Sequence, residues 1–173
     1  MIFDTHAHYD SGGFHADRDE VLASLPAAGV GLVVDPGCDV ESSRMAVALA
    51  EKFPHVYAAV GIHPGDCDGC TDADFAAIRE LAKHPKVVAV GEIGLDYACG
   101  VDRDKPLLVF QAQLEIAQKV GKGVVLHCVK SFEKVMEILK NYSLKFVIFH
   151  GFIGSPEQAK RATDRGYFLS FGE

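Results

Sequence analysis

No apolar run in this chain approaches the roughly 18 to 20 residues that a membrane-crossing helix needs. Nor does the start, Met1-Ile2-Phe3-Asp4, carry the basic residues and apolar stretch of a secretory signal. These absences argue against insertion into a membrane or export across it, and the expected compartment is the cytoplasm. Positive charge is scarce as well: 17 Lys and Arg stand against 24 Asp and Glu, a formal net charge of -7. A broad nucleic-acid-binding surface draws most of its affinity from Lys and Arg neutralising phosphates, so any phosphate contact here must be local. Neither a GxGxxG run nor a GKT or GKS triplet occurs, which excludes the signatures of a Rossmann cofactor site and of a P-loop.

Cysteine is present but lacks a frame. Cys38, Cys67, Cys70, Cys99 and Cys128 are odd in number and scattered, which suits reduced thiols better than a disulfide scaffold. Cys67 and Cys70 have CxxC spacing, yet a structural zinc site needs a second ligand pair and there is no partner CxxC. The plainer reading is a chance pair of loop thiols, and Cys128 reads as packing.

What the chain has is apolar content, 49% of 173 residues, enough for one globular domain over residues 1–173. Short β-branched runs recur at Ile2 to His6, Gly31 to Asp35, Val56 to Gly61, Val87 to Glu92, Gly123 to His127, Lys145 to His150 and Tyr167 to Phe171. The spacing leaves room for a crossover helix between runs and is too long for hairpins, so parallel strands are predicted. Val87-Val88-Ala89-Val90 and Phe146-Val147-Ile148-Phe149 lack polar alternation, as strands covered on both faces do. Helices are predicted over Val40 to Lys52, Asp72 to Lys83 and Asp104 to Val120. In the last, Asp104 is the expected cap, Phe110, Leu114 and Ala117 share a face, and Gly121 stops it. Ser155-Pro156-Glu157 opens another helix and Gly166 closes it, while Pro26 leaves the end of the first helix unfixed.

The polar residues at the strand ends carry the chemistry. Asp4, His6 and His8 alternate, and a strand with period 2 points all three to one side, so two imidazoles can reach one cation. His63 follows the third run, Glu92 ends the fourth beside glycines, His127 ends the fifth and His150 the sixth. Parallel strands share one carboxyl-end face, so residues far apart in sequence meet there. Imidazoles with one carboxylate suit Zn²⁺ or a similar ion, and a carboxylate can bridge two ions as a neutral imidazole cannot. Two cations a few ångströms apart would activate water and hold both oxygens of a phosphodiester during in-line displacement. Taken singly, each histidine is more simply a hydrogen-bonded residue, and His15, His55 and His84 read as exposed loop positions. Lys130, after His127, can face an anionic substrate or only solvent.

In Asp4-Thr5-His6-Ala7-His8, Gly61-Ile62-His63-Pro64, GEIGLDY over 91–97, Phe110 with Gln113-Leu114, Leu126-His127-Cys128, His150-Gly151-Phe152-Ile153-Gly154 and Ser170-Phe171-Gly172, the chain resembles the TatD-like metal-dependent deoxyribonucleases, within the amidohydrolase-type barrels. The resemblance implies a TIM-type (β/α) barrel with two divalent ions, Zn²⁺, Mg²⁺ or Mn²⁺. His6 and His8 would hold one ion, His127 and His150 the other, and Glu92 would bridge them; His63 and Lys130 would line the substrate side. Glu92 and His63 are the implied catalytic residues and DNA the implied partner.

Two departures follow. Many relatives have Arg where this chain has Lys130, which weakens a bidentate phosphate contact. The family pattern also continues to a Glu-Thr-Asp segment on an eighth strand, whose Asp serves the first metal and the attacking water; this sequence contains no Glu-Thr-Asp. About seven of eight strands are therefore expected, in a domain incomplete at its C-terminus, since a closed barrel takes about 250 residues with roughly 200 as a lower bound. A complete barrel would be a monomer, whereas an unclosed sheet edge offers a route to self-association. Two other functions share these residues: hydrolysis of a small amide, lactone or ester, and an inactive truncated barrel that only binds metal.

Overall fold

The computed structural model describes residues 1–98 and 104–172; Cys99 and Glu173 lie outside the described residues. The β-branched runs form strands at Ile2–Asp4 (β1), Val30–Pro36 (β2), Val56–Val60 (β3), Val87–Asp96 (β4), Gly123–Val129 (β5), Val147–Phe149 (β6) and Phe168–Leu169 (β7). Between them lie helices Arg18–Ser24 (α1), Val40–Lys52 (α2), Asp72–Leu81 (α3), Asp104–Val120 (α4), Phe132–Ile138 (α5) and Pro156–Thr163 (α6). All strand pairs are parallel and the order is β1-β2-β3-β4-β5-β6-β7. An order that follows the chain without reversal is that of a (β/α) barrel wall, not of a doubly wound sheet. Among the described residues no pairing joins β7 to β1.

Local chemistry explains where the helices start and stop. Asp39 accepts the Ser42 N–H at 2.7 Å to open α2, and Ser155 accepts the Gln158 N–H at 3.1 Å to open α6, each in a capping box. Gly121 and Gly166, with φ of 68° and 77°, turn the chain after α4 and α6. α1 ends at Ser24, ahead of Pro26. Asp104 is the first helical residue of α4 and not its cap, a position where a carboxylate still favours the helix dipole.

Alternation along the strands separates two apolar layers. Val60, Val124, Leu126, Val147 and Phe149 face the helices, against Ala46, Ile78, Phe110 and Leu114. Val34, Ala59, Ala89 and Val125 face the concave side with Tyr57, Phe146 and Ile148, and all of these but Ala59 line a cavity of about 780 Å³. Continuing the same period, His63, His127 and His150 follow Ala59, Val125 and Ile148 on the concave side.

Three sequence expectations need correcting. β1 ends at Asp4, so His6 and His8 lie on the loop beyond it and not on the strand. Asp4 turns its carboxylate to the His6 N–H, 3.2 Å away, while Ala7 N–H reaches the β2 carbonyl of Val34 at 3.1 Å. His55 and His84 are half-buried and paired, with the α1 carbonyl of Leu22 at 3.0 Å and with Glu51 of α2 at 3.1 Å.

Two buried polar side chains clamp the turn after β3, just before His63. Ser43 of α2 accepts the Gly61 N–H at 3.1 Å and donates to its carbonyl at 3.3 Å. Gln113 of α4 accepts the Ile62 N–H at 2.7 Å and donates to its carbonyl at 3.0 Å, acting as a substitute strand. A Cβ at Gly37 would lie 2.4 Å from Ser43 Oγ, so that neighbour must be glycine. Replacing Gln113 by Leu keeps the volume but strands both Ile62 groups in an apolar layer. The expected loss is about 1–3 kcal/mol of unfolding free energy by urea titration, and an unchanged midpoint would refute the clamp.

Candidate metal centre

Glu92 reaches the concave side because β4 changes register against β5 between Val90 and Ile93. A Cβ on Gly91 would lie 2.8 Å from Val125 Cβ, and one on Gly94 (φ 147°) 1.9 Å from the His127 carbonyl oxygen. Only glycines at these two positions let β4 press against β5 closely enough to set Glu92 beside His127. The Glu92 residue is 4% exposed.

Its two carboxylate oxygens face different histidines. Oε2 lies 3.1 Å from His6 Nε2 and 3.6 Å from His8 Nε2, and those two nitrogens are 3.0 Å apart. Oε1 lies 3.0 Å from His127 Nδ1, 3.9 Å from His150 Nε2 and 4.0 Å from His63 Nε2. The His6 ring stacks on His150 at 3.4 Å, and His63 meets the His127 ring edge-on at 4.4 Å. Five histidines read from the sequence as ligands or substrate contacts, His6, His8, His63, His127 and His150, therefore meet around the Glu92 carboxylate. Lys130 stands apart, exposed and with φ 51°, in a shallow pocket shared with Tyr97, Ser131 and Phe152.

Four of the histidines are shifted, in opposite directions. Burial alone would raise Glu92, but hydrogen bonds from His127, His6 and His8 hold it well below the usual carboxylate range. His8 is raised to about 10 by its interactions with Asp10 and then Glu92. Burial works against protonation of His127, and the bonds to Glu92 and Asp96 overcome it and raise its pKa. The two more distant rings go the other way: burial, then the His6 charge, lowers His150 to about 4, and burial, then the His127 charge, lowers His63.

The donor set fits divalent cations. Imidazole nitrogens 3.0 Å apart, aimed at one carboxylate oxygen, are acceptors that need protons or a cation between them. Tetrahedral bonds of about 2.0–2.1 Å put donor atoms roughly 3.3 Å apart, close to the separations among His6, His8 and Glu92. Two groups converge in this way, His6 with His8 and Glu92, and His63 with His127 and Glu92.

Strand-end position alone does not mark Asp96 as a site residue, yet its Oδ2 is 3.0 Å from His127 Nε2. By accepting Nε2–H it would leave the Nδ1 lone pair for a cation, the usual second contact of a metal-binding imidazole. The signal was in the sequence: Glu92, Gly94 and Asp96 share one face of β4 by period 2.

A family model described as TatD related DNase matches residues 3–173. The uncharacterised metal-dependent hydrolase YabD of Bacillus subtilis is 37% identical over 99% of this chain and 69% of its own length. The 3'-5' ssDNA/RNA exonuclease TatD of Salmonella typhimurium is 35% identical over 97% of this chain and 66% of its own. Among solved structures, the TatD homologue YjjV of Escherichia coli superposes with a TM-score of 0.90 at 33% identity, over 97% of this chain and 66% of that one. The chain thus spans about two thirds of the length of these relatives.

The low His150 pKa has a pH signature in the metal-free protein. A histidine at about 4 when folded and near 6.5 when unfolded binds its proton first in the unfolded chain. Its contribution to stability is therefore constant above pH 7 and falls as the pH drops through 6.5 toward 4. The difference in unfolding free energy between wild type and His150→Gln, measured by urea titration with chelator present, should shrink over that window. A difference that stays flat or grows on acidification would contradict a half-buried, neutral His150.

Proposed function

Because this chain belongs to the TatD-related DNase family of metal-dependent hydrolases, we propose that it hydrolyses phosphodiester bonds of DNA, acting on strand ends, with two divalent cations, Zn²⁺, Mg²⁺ or Mn²⁺. One cation would be held by His6, His8 and Glu92, the other by His127, His150 and Glu92. The observation that carries this reading is the division of Glu92, whose Oε2 faces the first pair of histidines and whose Oε1 faces the second. Bound there, the cations supply Lewis acidity toward a phosphoryl oxygen and lower the pKa of water.

The remaining steps belong to side chains. His63 Nδ1 accepts the Gly65 N–H at 3.0 Å, so the neutral ring carries its proton on Nε2, toward the site. That tautomer makes His63 a donor to a phosphate or leaving oxygen and not a lone-pair ligand, although it stands only 4.0 Å from Glu92. Lys130, exposed beside Tyr97 and Ser131, would add one local positive charge for a strand end that extends beyond the metal centre. With a net charge of -7, such short contact fits better than tracking along a duplex. The exonuclease name of the Salmonella relative supports single strands as substrate, and the reduced-thiol composition supports a cytoplasmic setting.

Glu92→Gln should lose bound metal and cleavage of single-stranded oligonucleotides together; cleavage that survives in this variant would defeat the proposal. His63→Ala should instead keep its metal content while kcat falls by about 10²- to 10⁴-fold. A panel pairing oligonucleotides with small amides and lactones, each with added Zn²⁺, Mg²⁺ or Mn²⁺, fixes the bond: turnover of the amides or lactones alone would replace phosphodiester hydrolysis.

A further inference from the structure

Asp35, near the end of β2, is fully buried, and with Glu92 it is one of two buried carboxyl groups among the described residues. An apolar side chain would serve packing here at no desolvation cost, so a carboxyl needs a reason. Its Oδ1 accepts the Tyr9 N–H at 3.1 Å, while the preceding residue, Val34, takes the Ala7 N–H at 3.1 Å. The end of β2 thus grips the loop backbone on both sides of His8.

Beyond Tyr9 the Asp10 carboxyl comes back toward the imidazole, with Oδ1 3.6 Å from His8 Nδ1. The Asp10 and Asp35 carboxyls face one another, and Asp10 Oδ1 and Asp35 Oδ2 are both buried without a hydrogen-bond partner. The nearby cation does not pair with them: the Arg18 guanidinium is engaged by the carbonyls of Tyr9, Asp10 and Ser11 at 2.5, 2.9 and 2.9 Å. Arg18 therefore fixes the loop, and the two carboxyls are left to act on His8.

We propose that Asp35 is a positioning residue for the His6–His8 half of the site, acting through Tyr9 N–H and Asp10 to hold the His8 ring with Nδ1 toward Asp10 and Nε2 toward Glu92. This rests on the reading of His8 as a metal ligand. Asp35 touches neither cation nor substrate; it decides whether the second nitrogen of His8 has an oriented acceptor, on which ligand affinity depends.

The test is Zn²⁺ titration of the chelator-stripped protein by calorimetry, with the His8 ring followed by long-range ¹H–¹⁵N NMR in the Zn²⁺-loaded state. Asp35→Ala and Asp10→Ala should each weaken Zn²⁺ binding by roughly 10- to 100-fold. The double variant should be no weaker than either alone, because the two act in series. Asp35→Asn should bind as wild type does, since its amide oxygen still accepts Tyr9 N–H and its N–H₂ can donate to Asp10. Wild-type affinity in Asp35→Ala, additive losses in the double variant, or Asp35→Asn as weak as Asp35→Ala would each overturn the proposal. If Asp35→Ala does not fold, NMR decides: the His8 Nδ1–H must exchange with water faster in Asp10→Ala than in wild type, and as slowly as wild type in Asp35→Asn. Absence of Zn²⁺ binding in the wild type would instead remove the metal-centre reading itself, and this inference with it.

Discussion

A carboxylate taken out of water must be given hydrogen-bond donors or positive charge, or it is driven neutral. Glu92 is that carboxylate, and the concave side of the sheet is organised around meeting its demand. The loop after β1 supplies His6 and His8, β5 supplies His127, and the rings of His63 and His150 stand just outside contact. Carboxylate neighbours raise the pKa of His8 and His127, whereas burial and neighbouring imidazoles lower those of His63 and His150, whose rings stand 3.9–4.0 Å from Glu92. Protons and divalent cations are thus competing answers to one electrostatic problem, which is why metal uptake at such a site releases protons.

Placement of those groups falls to residues with no charge to offer. Gly91 and Gly94 remove the bulk that would hold β4 off β5. Ser43 and Gln113 reach in from two different helices to hold the backbone of Gly61 and Ile62, fixing where His63 leaves the strand. Ser131 does the same on the far side, donating to the Leu95 carbonyl at 2.7 Å beneath the turn that carries Lys130. Chemistry at the concave side and packing on the helical side are coupled through these few polar side chains.

Much of this was legible in the residues. Parallel strands followed from the spacing of apolar runs, and α2 and α4 match their predicted limits because apolar face, first turn and stop all agree. Convergence of His63, Glu92, His127 and His150 followed from period 2 and the shared carboxyl-end face. The first strand reads as longer than it is because alternation of Asp4, His6 and His8 looks the same in a strand and in a loop pinned to its neighbour by two bonds, Ala7 to Val34 and Tyr9 to Asp35. The roles of Asp10, Asp35 and Asp96 are illegible in the sequence for a different reason. A carboxylate serving a ligand's second nitrogen has no spacing rule of its own and becomes visible only when distant strands are laid side by side.

In the sheet, β1 and β4 are separated by β2 and β3, yet the His6 and Glu92 side chains meet at 3.1 Å. Their contact is a chord drawn across an arc, and it exists only while the sheet keeps its curvature. β1 is three residues long, with Ile2 and Phe3 more than half exposed, and it pairs with β2 alone among the described strands. Occupancy of the centre and attachment of β1 are therefore coupled: a cation between His6, His8 and Glu92 would work as a tie-rod, bracing the curve of the sheet and its first described strand.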